Sequence, residues 1–104
     1  MNRKLSIDPE VLARARAAAS YHESKRPGHG PEFREAFDDL LGNILCYPEM
    51  YERWKRRYRR AFKERFSFVV IYRVTSNAVQ IVGLFRQETD PAAMKRRIVR
   101  SRKS

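Results

Sequence analysis

Apolar residues recur along this chain with two different periods, and the change from one to the other divides it. From Glu10 to about Ser24 the residues Val11, Leu12, Ala15, Ala18, Ala19 and Tyr21 return at intervals of three and four, which predicts a one-faced helix. Asp8 and Pro9 precede it: the carboxylate is expected to accept from the first free N–H groups, and proline loses nothing at the first helical position. Residues 3–7 ahead of them read as a short strand. A second stripe, Phe33, Phe37, Leu40, Leu41, Ile44 and Leu45, predicts a helix from Pro31 to about Tyr47, with Glu32, Glu35, Asp38 and Asp39 on its opposite side and Pro48 ending it. Residues 26–31 between them hold two prolines and two glycines, a loop by composition. So short a link predicts an antiparallel helical hairpin whose small alanines allow close approach.

Beyond the hairpin the period becomes two. Residues 67–75 put Phe68, Val70, Tyr72 and Val74 on one side and Val69, Ile71 and Arg73 on the other; residues 78–86 oppose Val79, Ile81 and Phe85 to Gln80, Val82, Leu84 and Arg86. Both are strands apolar on both faces, and so central or covered by helices. Ser76 and Asn77 link them as a hairpin, with Asn77 the residue suited to positive φ. Tyr58 to Phe66 alternates as well, and its charges suit a sheet edge. Asp90-Pro91 repeats the earlier helix start, with Met94 and Ile98 four apart to dock a last helix, and residues 100–104 read as a frayed tail. The prediction is a single α+β domain over residues 1–104 in the order β-α-α-β-β-β-α: an N-terminal strand and a helical hairpin packed on a small antiparallel sheet.

Charge changes the picture more than composition does. The chain of 104 residues carries 23 Lys+Arg against 12 Asp+Glu, a formal net charge of +11. Its distribution is lopsided: residues 1–52 hold seven basic and nine acidic side chains, and residues 53–104 hold sixteen and three. Residues 53–65 alone contribute eight basic side chains and residues 95–103 six. Crowding like charges costs stability, so the second half asks for an anionic partner, nucleic acid or acidic protein. No apolar run is long enough for a membrane span and the first residues lack a secretory signal, which points to the cytoplasm. The lone Cys46 cannot make an internal disulfide and has no companions at zinc-ligand spacing, so neither a metal nor a cofactor is expected.

The ordered stretches SIDPEVLARARAAASYHESKRPGHGPEF, RRAFKERFSFVVIYRV and VQIVGLFRQETDP together resemble the RelE/ParE superfamily of bacterial type II toxins, and more specifically its ParE-like branch. The resemblance implies a toxin encoded beside an acidic antitoxin, partly disordered, that wraps it and folds on binding into a hetero-oligomer. It further implies one of two targets: DNA gyrase, poisoned by binding in the ParE-like branch, or mRNA on the ribosome, cut by RelE-like members. Metal-free RNA cleavage needs groups that activate the 2′-hydroxyl, steady the phosphorane and protonate the leaving oxygen. Where mRNA-cleaving relatives tend to carry an arginine early in the third strand, this chain has Val69-Val70. Where the ParE-like pattern reads His-x-Arg-Arg-Asp-Pro, it has Arg86-Gln87-Glu88-Thr89-Asp90-Pro91. These departures count against nuclease chemistry. A non-toxic, basic nucleic-acid-binding module is the remaining alternative that charge alone would satisfy.

The candidate partner-binding residues are the arginines that strands would project, Arg60, Arg65, Arg73 and Arg86. Under the endonuclease alternative, Arg60, Arg73 and Arg86 would be the catalytic set. His22 reads as a helix-surface or core-edge residue and His29 as a turn residue, neither a base. Tyr72 reads as packing with a satisfied hydroxyl, Trp54 as core, and Cys46 as a small buried apolar residue.

Overall fold

The computed structural model describes residues 3–103, with side chains to Val99. A strand β1 (Lys4–Ile7) leads into helices α1 (Pro9–Lys25) and α2 (His29–Cys46), then strands β2 (Glu52–Trp54), β3 (Tyr58–Lys63), β4 (Phe68–Val74) and β5 (Ala78–Arg86), and a final helix α3 (Pro91–Lys103). The strands form one sheet in the order β1-β5-β4-β3-β2. The hairpin covers one face of it and α3 the other.

Strand alternation explains the two layers. Phe68, Val70 and Tyr72 of β4 join Val79 and Ile81 of β5 against Phe33, Phe37, Leu40 and Ile44 of α2 and Val11 of α1. On the opposite face Val69, Ile71, Val82 and Phe85 receive Met94 and Ile98 of α3. Strands apolar on both sides are thus covered on both sides, as their sequences require.

The structure departs from the sequence reading at several points. The sheet is mixed: β1 runs parallel to β5, pairing Lys4 with Ala78 through Ile7 with Ile81. A three-residue strand, β2, precedes the expected ones and pairs with β3, so β3 is not an edge. It is too short to show a period. The side assignments of Leu84 and Phe85 are exchanged: Tyr72 pairs with Ile81 but Ile71 with Gly83, so a bulge inserts Val82 and inverts the alternation beyond it. Leu84 therefore joins the hairpin-side core and Phe85 packs toward α3. A Cβ at Gly83 would lie 2.5 Å from Phe85 Cε2, so the ring occupies the space over the glycine.

The turns differ as well. α2 begins at His29, inside the expected loop, because Glu23 of α1 accepts from the N–H groups of Gly28 (3.0 Å) and Gly30 (3.0 Å) and caps the incoming helix. Pro31 then sits in its first turn, where no helical N–H is lost. Gly28, with φ 92°, makes the reversal. Asp8 flanks α1 as expected but makes no side-chain cap bond; its backbone carbonyl accepts from Val11 N–H at 2.9 Å, and its carboxylate accepts from Gln80 Nε2 at 3.5 Å.

Asn77 does not take positive φ. Instead Thr75 closes that turn, its N–H donating to the Ala78 carbonyl at 2.9 Å and its hydroxyl to Asn77 Oδ1 at 3.2 Å. The left-handed residues are Lys55 and Arg56 between β2 and β3, and Phe66 and Ser67 between β3 and β4. Cys46 is exposed, since it ends α2 where the stripe has already rotated away from the core. The backbone of α3 runs from Pro91 to Lys103, and Ser104 of the expected tail lies outside the described residues.

Candidate functional site

The four arginines singled out by sequence do not share a groove. Arg60 and Arg73 lie on the α3 side of the sheet, where the Arg60 guanidinium meets Glu52 at 3.1 Å and Arg73 Nε donates to Gln80 Oε1 at 2.8 Å. Arg65 and Arg86 lie at the other end. Arg65 bridges to Glu32 at 2.6 Å and stacks over Phe66, its guanidinium carbon 5.2 Å from the ring centre; Arg86 sits 5.5 Å over the ring of Tyr21. Register separates the pairs, because Arg73 lies opposite Gln80 while Arg86 lies opposite Phe68.

Two concavities gather aromatic and basic side chains instead. The first is a groove of about 520 Å³ between α1 and the end of β5, lined by Tyr21, His22, Phe33, Phe66, Phe68 and Phe85 and bordered by Arg14, Arg86 and Glu88. Phe66, held at φ 67°, carries its ring to within 4.6 Å of His22 and 5.6 Å of Phe33, centre to centre. An aromatic side chain in the left-handed region is costly, and here ring packing offsets it. Partial burial first, then the charges of His29 and Arg86, hold the His22 imidazole below its ordinary pKa. His22 is thus a core-edge aromatic, as expected, and His29 opens α2 rather than lying in a turn.

The second concavity is a cleft of about 350 Å³ at the opposite end of the sheet. Arg53 of β2 and Arg56 and Arg57 of the β2–β3 turn converge there, with Arg59 and Tyr58 of β3, Arg3 ahead of β1, and Thr75 and Ser76 of the β4–β5 turn. Glu49 is the one carboxylate among its lining residues. Arg59 is fixed by the Tyr51 carbonyl at 2.6 Å and Arg3 by the Thr75 carbonyl at 2.9 Å. Among the described residues none of these five arginines is in an ion pair. Sequence reading found the basic run but not the members of it that converge. The strand pattern favoured Arg60 and Arg65, whereas the cleft is made by β2 and the turn after it, by the other side of β3, and by Arg3, which only the parallel pairing of β1 brings there.

Tyr72 is fully buried, and its hydroxyl donates to the Pro48 carbonyl at 2.5 Å. Burial pushes the phenol up to about 12, with the Arg59 charge opposing. A phenol so placed is a packing residue, as expected. Trp54 is only half buried, packing against Tyr58 with Lys55 over its ring, rather than lying in the core.

No protein-family model and no curated relative matches the chain by sequence. Solved structures do match its fold. A chain of the chromosomal ParDE TA system from P. aeruginosa superposes with a TM-score of 0.74 at 16% identity, covering 83% of this chain and 97% of that one. A double mutant of the E. coli toxin RelE in the free state gives a TM-score of 0.68 at 16% identity, covering 96% and 97%. The same RelE mutant in complex with an antitoxin RelBc peptide gives 0.59, also at 16% identity, covering 92% and 95%. The chain has the RelE/ParE toxin fold.

Proposed function

We propose that this chain is the toxin of a type II toxin–antitoxin pair, that it acts by binding a protein target, DNA gyrase, and that an acidic antitoxin segment silences it. The aromatic groove beside α1 carries the proposal. Tyr21 is 46% exposed at its border and His22 and Phe66 are half-buried within it, above the buried rings of Phe33, Phe68 and Phe85. Arginines 14 and 86 flank it, so an amphipathic acidic segment would find apolar and cationic contacts together. Arg65, stacked on Phe66, extends the cationic border. The structural neighbour RelE, solved with an antitoxin peptide, supports a partner of this kind.

Binding is favoured over RNA cleavage because the groups an endonuclease would use are committed elsewhere. The Tyr72 hydroxyl is buried on a backbone carbonyl, Arg60 is paired with Glu52, and Arg73 is held by Gln80 some distance along the sheet from Arg86. These residues therefore do not bring an acid and a base to face one phosphodiester. Purified chain in a gyrase supercoiling assay and in a ribosome-dependent mRNA cleavage assay tests this directly. Inhibited supercoiling with intact transcript is expected, and cut transcript with untouched supercoiling would overturn it.

A further inference from the structure

The arginine cleft at the far end of the sheet belongs to neither the aromatic groove nor the proposed partner surface. We infer that it binds the phosphates of a nucleic-acid strand, independently of gyrase and of any antitoxin. Five guanidiniums, from Arg3, Arg53, Arg56, Arg57 and Arg59, line about 350 Å³ with Glu49 as the single carboxylate. Such crowding is self-repulsive, and none of the five is neutralised by an ion pair among the described residues.

The turn that supplies two of them, Arg56 and Arg57, is built against local preference. Lys55 and Arg56 both hold left-handed φ, 47° and 55°, where glycine or asparagine would be cheaper. Strain kept at a site points to what the site does. Here it fans basic side chains around one opening.

The lining chemistry selects phosphate over an acidic peptide. Arginine, tyrosine, serine and threonine are the side chains that contact phosphate oxygens, and Tyr58, Thr75 and Ser76 complete the wall. A peptide that folds on binding needs apolar surface to cover, and that surface lies in the other groove. Tyr58 is half-buried where it lines the cleft, so an unpaired base beside a bound phosphate has an aromatic neighbour.

Fluorescence anisotropy of the full chain with a labelled ten-nucleotide single strand, titrated over a range of salt, tests the proposal. Arg53→Gln/Arg57→Gln is expected to weaken binding by roughly tenfold for each guanidinium removed, and to flatten the dependence of log K on log salt by about 1.4. The control Arg16→Gln/Arg34→Gln removes the same charge from the exposed side of the hairpin, and is expected to change neither. Arg56→Asn is expected to weaken binding while raising Tm, because asparagine tolerates the left-handed turn; this keeps the test clear of misfolding. Equal losses in the cleft and control variants would overturn the inference in favour of diffuse charge. So would displacement of the oligonucleotide by a glutamate-rich peptide of equal charge, or failure of the unaltered chain to bind at physiological salt.

Discussion

The Tyr72 hydroxyl donates a 2.5 Å hydrogen bond to the carbonyl of Pro48, tying the middle of the sheet to the point where α2 stops. Pro48 is itself buried, so this bond satisfies an acceptor that water cannot reach. Tyr72→Phe is therefore expected to cost about 1–3 kcal/mol, the penalty for leaving a buried carbonyl unpaired, read from urea denaturation. Target inhibition by the folded variant should be unchanged. The raised phenol also sets an alkaline limit. Its folded pKa, about 12, exceeds the unfolded value near 10. The folded state thus holds the proton more tightly, and its stabilising contribution, complete below pH 10, declines as pH rises from 10 to 12. The Phe variant should lack that part of the decline.

Glu23 caps a helix other than its own, accepting from Gly28 and Gly30 across the α1–α2 turn. Those N–H groups, Gly30 first, hold its carboxyl below the usual glutamate range. The sign follows: a lowered folded pKa stabilises above the unfolded value and is lost as pH falls through the folded one. Glu23→Ala should lower Tm at pH 7. The gap between variant and unaltered chain should close on acidification below about pH 4.5.

Gly83 is the residue at which the β4–β5 pairing resumes after the bulge, and the Phe85 ring lies over it. Because that ring is buried in the α3-side core, it has little room to withdraw. Gly83→Ala is expected to destabilise by about 1–3 kcal/mol through overpacking. Adding Phe85→Leu should cost less in that background than alone, a coupling that a double-mutant cycle measures.

Legibility from sequence followed the range of the interactions. The helical stripes and the two-faced strands are local patterns, and residues such as Phe33, Ile44, Val70 and Ile71 lie buried where their periods put them. Three features depended on contacts that no single-element period shows. The parallel pairing of β1 carries Arg3 to Thr75, the bulge exchanges Leu84 and Phe85, and Glu23 recruits His29 and Gly30 into α2. The candidate sites shared this limit. Alternation indicates which face of a strand an arginine occupies but not which end of the sheet it reaches, and so it grouped Arg73 with Arg86.

Arg86 borders the aromatic groove over Tyr21 and is exposed. If an acidic segment docks there, reversing this charge places like charges together in the complex alone. Arg86→Glu is expected to weaken the affinity of an acidic antitoxin peptide by roughly tenfold to a hundredfold, mostly in off-rate, with Tm nearly unchanged. Surface plasmon resonance separates the two rates. Unchanged affinity would place the partner elsewhere.

His22 joins the groove to stability. Its imidazole stacks on Phe33 with ring centres 5.3 Å apart, and burial, His29 and Arg86 all disfavour its charged form. The unfolded chain therefore binds a proton near pH 6.5 that the folded chain resists, and stability should fall as pH drops below that value. Glu23 acts only in a lower window, so thermal denaturation between pH 7 and 5 isolates the histidine. His22→Phe keeps an aromatic ring against Phe33 and Phe66 but cannot take up a proton. Its Tm should fall less over that interval than the unaltered chain's. Parallel curves would assign the acid sensitivity to some other group.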